Sequence, residues 1–144
     1  LNFDSTKLHN YEPFKDEKFL YCSIDGAATF ENVISDLRFC ARHLDSGGLI
    51  ALDHAFQADT PAVNMAMYEF LKEHPDFKMV YILFQKVLLS RDGSISEATF
   101  DPVNFEKCKI RGHEVNLVNR EPDWRADIFK PGFMTKLRYR ILDI

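Results

Sequence analysis

Two short apolar segments, each ending in an aspartate and joined by one amphipathic stretch, constrain this chain more than any other feature. The first is Phe19-Leu20-Tyr21-Cys22-Ser23-Ile24, followed by Asp25-Gly26. The second is Leu49-Ile50-Ala51-Leu52, followed by Asp53-His54. Nearly continuous apolar runs of this length read as strands covered on both faces, the usual state of a parallel sheet. Between them Phe30, Val33, Ile34, Leu37, Cys40, Ala41 and Leu44 recur at the spacing of a helix packed on a sheet. Thr29 is the expected N-cap, with Glu31 in the first turn. Asp45-Ser46-Gly47-Gly48 is expected to end the helix, glycine supplying a left-handed C-terminal residue. A parallel strand–helix–strand unit puts both strand ends on one sheet edge, where open α/β folds bind ligands. Topology alone therefore brings Asp25, Asp53 and His54 together.

The remainder divides in two. Asp59 or Thr60 caps a second helix with Pro61 in its first turn, and Val63, Met67, Phe70 and Leu71 form its apolar face. His74-Pro75-Asp76 stops it. Phe77 to Val80 and Gln85 to Ser90 read as strands able to pair, followed by a turn at Arg91-Asp92-Gly93. Residues 94–144 carry frequent turn signals, at Asp101-Pro102, Arg111-Gly112, Glu121-Pro122 and Lys130-Pro131-Gly132. Short strand candidates lie between them at Lys109 to Ile110, Glu114 to Val118 and Met134 to Ile141. The expected organisation is an α/β unit over 1–93 and a β-rich extension of the same domain over 94–144.

With 144 residues and a formal net charge of −4, the chain is sized for one domain and has no electrostatic bias toward nucleic acid or an anionic membrane. No apolar run reaches the roughly 18–20 residues of a membrane span. Cys22, Cys40 and Cys108 are odd in number and lack metal-ligand spacing. Cys22 on a strand and Cys40 on the apolar helix face read as buried thiols, which points to a reducing, cytoplasmic setting. The chain begins at Leu1 and enters strand-like sequence almost at once, so it is expected to be part of a longer protein.

Several motifs together resemble the class I S-adenosylmethionine-dependent methyltransferases, closest to the small-molecule and sugar O-methyltransferase-like group. They are Ile24-Asp25-Gly26, Thr29-Phe30-Glu31, Asp36-Leu37, Leu44-Asp45-Ser46-Gly47-Gly48 and Asp53-His54. Asp4-Ser5 and the run Glu73-His74-Pro75-Asp76-Phe77 add to the likeness, which extends from Asp4 to about Arg91. The resemblance implies a Rossmann-like sheet with flanking helices, in which Asp25 ends the family's fourth strand and Asp53 its fifth. It implies S-adenosylmethionine as cofactor and methylation of an oxygen on a small molecule or sugar. The family's glycine-rich loop after its first strand, and the acidic residue ending its second, have no counterpart here. The sheet is therefore expected to be truncated. The group's frequent Asp-His after Ile-Asp-Gly is replaced by Ala27-Ala28.

On that resemblance Asp4, Asp25 and Gly26 are candidates to touch the cofactor. Asp25 and Asp53 are candidates to hold Mg²⁺, which in some members binds and acidifies substrate hydroxyls, or to contact substrate directly. His54 is the candidate general base, since imidazole titrates near neutrality, and Asp25 the second candidate at the reaction centre. Asp36 reads as a surface or capping residue. Lys136, Arg138 and Arg140, alternating with Leu137, Tyr139 and Ile141, would put three cations on one strand face, suited to a phosphate-bearing substrate or to a wet edge strand. Trp124 with Arg125 reads as a lid, an interface anchor or a small-core aromatic. The expected partner is a small-molecule substrate; homo-oligomerisation is left open. Two other readings compete. One is a methyltransferase-like module that binds no cofactor and serves as an interaction or structural subunit. The other is an unrelated α/β hydrolase or transferase using the two aspartates with Mg²⁺.

Overall fold

The computed structural model describes residues 7, 15–83, 85–94, 105–118 and 142–143. The candidates at Leu1 to Ser5, Trp124, Arg125 and Met134 to Ile141 lie outside them. The described elements are β1 (Phe19–Ile24), α1 (Phe30–His43), β2 (Leu44–Leu52), α2 (Pro61–Glu73), β3 (Phe77–Leu83), β4 (Lys86–Arg91), β5 (Phe105–Ile110), β6 (His113–Val118) and β7 (Leu142–Asp143). The strands form one mixed sheet in the order β5-β6-β3-β4-β2-β1-β7, in which β7 contributes only two residues. The chain is thus α/β, with strands predominating.

β1 and β2 are parallel neighbours, paired from Tyr21 with Leu49 to Ile24 with Leu52. The hairpin β3–β4 then folds back so that β4 inserts antiparallel beside β2, with Ile50, Ala51 and Leu52 opposite Leu89, Leu88 and Val87. β6 adds parallel to β3, and β5 antiparallel to β6. The described residues 105–118 and 142–143 therefore extend the sheet of the first half. Arg111 and Gly112 both take positive φ (46° and 89°) in the two-residue β5–β6 turn. This suits the twist of paired strands.

Alternate residues of the strands separate two apolar layers. On one face Cys22, Ile24, Ile50, Leu52, Met79, Val87 and Leu89 pack against Val33, Leu37 and Cys40 of α1 and Val63, Met67 and Phe70 of α2. On the other, Leu49, Ala51, Val80, Tyr81, Leu83 and Leu88 are buried together. Both described helices lie on the first face, whereas helices on both faces were expected. They also touch each other, and a paired Arg38–Glu73 contact (Nε to Oε2 3.0 Å, Nη2 to Oε1 2.5 Å) bridges them. At this exposure the pair is worth under about 1 kcal/mol; it sets helix orientation more than stability.

Three local expectations need correction. α1 ends at His43, and Leu44 is already extended (φ −70°, ψ 129°), buried and paired with Phe19. Gly47 (φ 71°) and Gly48 lie in a bulge of β2 between the Leu44 and Leu49 pairings, not at a helix C-cap. Core burial of Leu44 overrides the turn chemistry behind it. A Cβ on Gly48 would approach the Asp45 carbonyl oxygen and Leu44 to 3.0 Å, so the bulge has no room for a larger residue there. Asp36 is 1% exposed rather than at the surface. α1 faces a second helix as well as the sheet, so its buried arc is wider than its apolar stripe and takes in Asp36 and Phe39. Cys22 and Cys40 are both buried, as expected; the hydrogen bond between them, and then burial, push the Cys40 thiol well above its ordinary value.

Leu37 is fully buried where α1 meets the core. Leu37→Ala is expected to destabilise the fold by about 2–5 kcal/mol, read from the midpoint of denaturant unfolding. A loss under about 1 kcal/mol would mean that α1 does not pack as described.

Candidate functional site

The parallel pairing of β1 and β2 continues one step past its last residue pair. Asp53 N–H donates to the Ile24 carbonyl at 3.0 Å. This brings Asp25 and Asp53 abreast at the carboxyl edge. The antiparallel register of β2 with β4 does the same from the other side. Leu52 opposes Val87, so the next position sets Lys86 opposite Asp53. Lys86 Nζ donates to Asp53 Oδ2 at 2.5 Å.

The environments of the three acid–base candidates differ. Asp53 is 8% exposed, whereas the side chains of Asp25 and His54 are 54% and 36% exposed. Asp53 Oδ1 accepts the His54 backbone N–H at 2.8 Å, so both of its oxygens are engaged. Burial pushes the Asp53 carboxyl up, but the Lys86 ammonium and the His54 N–H outweigh it and hold the group below its ordinary value. His54 Nδ1 lies 3.6 Å from Asp25 Oδ1. That is too long for a hydrogen bond but within ion-pair distance. One ligand atom from each of Asp25, Asp53 and His54 falls within 4.8 Å of the others.

His54 takes φ 59°, a left-handed backbone that costs a histidine roughly 1–2 kcal/mol. The surroundings hold it there. The His54 carbonyl accepts the Thr60 hydroxyl at 3.0 Å and Gln57 N–H at 3.2 Å. Ala55 N–H donates to the Gln85 carbonyl at 3.2 Å, and Asn64 Nδ2 to the Ala55 carbonyl at 3.0 Å. The Gln57 side-chain amide donates to that of Gln85. Of the two expected caps, Asp59 and Thr60, Thr60 is the N-cap of α2, but its hydroxyl bonds the site loop rather than the helix. The segment 53–60 is thus tied to α2 and to the start of β4. Strained backbone that its neighbours over-determine is typical of functional loops.

Of the remaining candidates, Gly26 is exposed and does not use positive φ. Asp4 lies outside the described residues. Asp36 is apart from the cluster, one turn before Cys40 on the same face of α1. The residue missed from sequence is Lys86. The β3–β4 pairing was legible, but nothing local says that β4 inserts beside β2. A groove of about 1470 Å³ runs between the first half of β3 and the β5–β6 hairpin, with Lys78, Lys107, Lys109 and His113 along it. It shares no residue with the strand-end cluster. Among the described residues, strand ends converge on groups suited to proton transfer at the cluster and not in the groove.

No protein-family model matches the chain, and no curated protein matches it. No described helix is long and apolar enough to cross a membrane.

Glycine adopts the His54 backbone freely and alanine does not. His54→Gly is therefore expected to be more stable than His54→Ala by about 1 kcal/mol, compared by thermal unfolding. Equal stabilities, or a more stable alanine variant, would contradict a left-handed residue 54.

Proposed function

We propose that these residues form the substrate-facing half of an S-adenosylmethionine-dependent O-methyltransferase site acting on a small molecule or sugar. The observation that carries this reading is the meeting of Asp25 and His54 at the ends of adjacent parallel strands, in the Ile24-Asp25-Gly26 and Asp53-His54 contexts of the resemblance. The β1–α1–β2 unit also has the parallel connection that a Rossmann-like half-sheet requires. The reaction type rests on the motifs, since one fold hosts many chemistries.

When bound, S-adenosylmethionine supplies a methyl group on a positively charged sulfur. The chain's task is then to orient an acceptor hydroxyl and remove its proton. His54 Nδ1 faces Asp25, which leaves Nε2 as the atom to take the proton, while the Asp25 carboxylate stabilises the imidazolium that forms. Asp53 holds the His54 backbone in place and is not free to act as a base. On the resemblance, Asp25 and Gly26, together with Asp4 outside the described residues, would contact the cofactor.

The competing reading is a non-catalytic, methyltransferase-like module that binds no cofactor. Calorimetry with S-adenosylhomocysteine on the natural polypeptide that contains these residues separates the two. The enzyme reading expects saturable heat, and a fall in kcat of about 10²–10⁴-fold in His54→Ala. Absence of binding at millimolar ligand would leave the interaction module as the better account.

A further inference from the structure

The resemblance makes Asp25 and Asp53 candidates to hold a divalent cation, as in some members, and the geometry at Asp53 does not fit one. Mg²⁺ takes oxygen ligands at about 2.0–2.1 Å in near-octahedral order. Asp53 Oδ2 already accepts the Lys86 ammonium at 2.5 Å, and Oδ1 the His54 N–H at 2.8 Å. A metal on either oxygen would have to displace a hydrogen bond and then sit beside a fixed positive charge. What remains is one exposed carboxylate, Asp25, and the Nδ1 of His54. One carboxylate with one imidazole is a poor donor set for Mg²⁺.

Lys86 is not a chance visitor. The β2–β4 register, carried one step past the Leu52–Val87 pair, sets it across from Asp53, and its own pairing with Leu83 of β3 fixes its Cα. Like Asp53, it lies at the carboxyl edge where β1 and β2 end.

We infer that Lys86 is the site's own cation: its ammonium occupies the place beside Asp53 that a divalent metal would need, and the cluster works without one. Lys86 is then a positioning residue. It keeps the carboxylate engaged, the carboxylate keeps the His54 backbone in place, and Asp25 with His54 remain the pair open to solute. The inference deepens the proposed methyl-transfer site and takes from it only the identity of the reaction. Its test reads metal binding without any methyl donor, so failure of the methyltransferase reading leaves it standing or falling on its own.

The test is titration with Mn²⁺, followed by electron paramagnetic resonance, of the wild-type chain and of Lys86→Met, Lys86→Arg and Asp53→Asn. Wild type and Lys86→Arg are expected to show no saturable binding at millimolar Mn²⁺. Lys86→Met frees Asp53 and is expected to gain one saturable site, about tenfold or more tighter than any residual Mn²⁺ binding by wild type. Should Lys86→Met fail to fold, Lys86→Gln removes the charge while keeping a donor, and the same gain is expected of it. Stoichiometric binding by wild type that Asp53→Asn abolishes would overturn the inference. So would neutral variants that bind Mn²⁺ no better than wild type.

Discussion

The contact between Lys86 and Asp53 joins the two halves of this sheet where they meet the site. Asp53 ends the parallel unit, Lys86 begins the strand that folds back beside it, and both sit on the edge to which Asp25 and His54 belong. A carboxylate this buried is costly without a partner. The ammonium and the His54 N–H supply one partner for each oxygen. Together they reverse the effect of burial and hold the group ionised. The same carboxylate thereby anchors the first residue of the loop that carries the imidazole.

That loop shows how the fold supports chemistry. His54 takes an unfavourable backbone conformation, and Thr60, Gln57, Gln85 and Asn64 each contribute a bond that makes the alternative worse. The strain at one residue is offset by contacts spread over α2 and β4. The outcome is an imidazole and an exposed carboxylate 3.6 Å apart on a rigid edge, with a second carboxylate behind them serving as a brace. Two aspartates of the same type, at equivalent strand ends, thus acquire different roles from burial and from partners.

Much of this was legible in the sequence. The run Phe19 to Ile24 is β1 without adjustment, although only Phe19, Cys22 and Ile24 are fully buried and Leu20, Tyr21 and Ser23 are half-buried, so the strand is covered less completely than its apolar run suggests. Thr29 caps α1 by accepting the Asn32 N–H at 3.3 Å, and the apolar stripes of both helices face the core. The meeting of Asp25, Asp53 and His54 followed from parallel topology. What failed were features that depend on non-local neighbours. Leu44 was read as helix and belongs to β2, because Phe19 is beside it. Asp36 was read as exposed and is buried, because α2 closes the flank of α1. Lys86 was not singled out at all, since its meaning comes from β4 inserting next to β2. Local pattern specifies which residues are apolar and where turns fall; it does not specify which strand lies beside which.

A divided site, with a braced carboxylate inside and an acid–base pair outside, requires that Asp53 and Lys86 be energetically coupled. A double-mutant cycle of Asp53→Asn and Lys86→Met, followed by denaturant unfolding, measures this directly. The account predicts a coupling of about 1 kcal/mol or more near neutral pH. Because the folded Asp53 carboxyl lies below its unfolded value, that coupling is fully present above the ordinary carboxylate range and is lost as pH falls through the lowered value. Effects that add within about 0.5 kcal/mol at neutral pH, with no loss of coupling in acid, would contradict it.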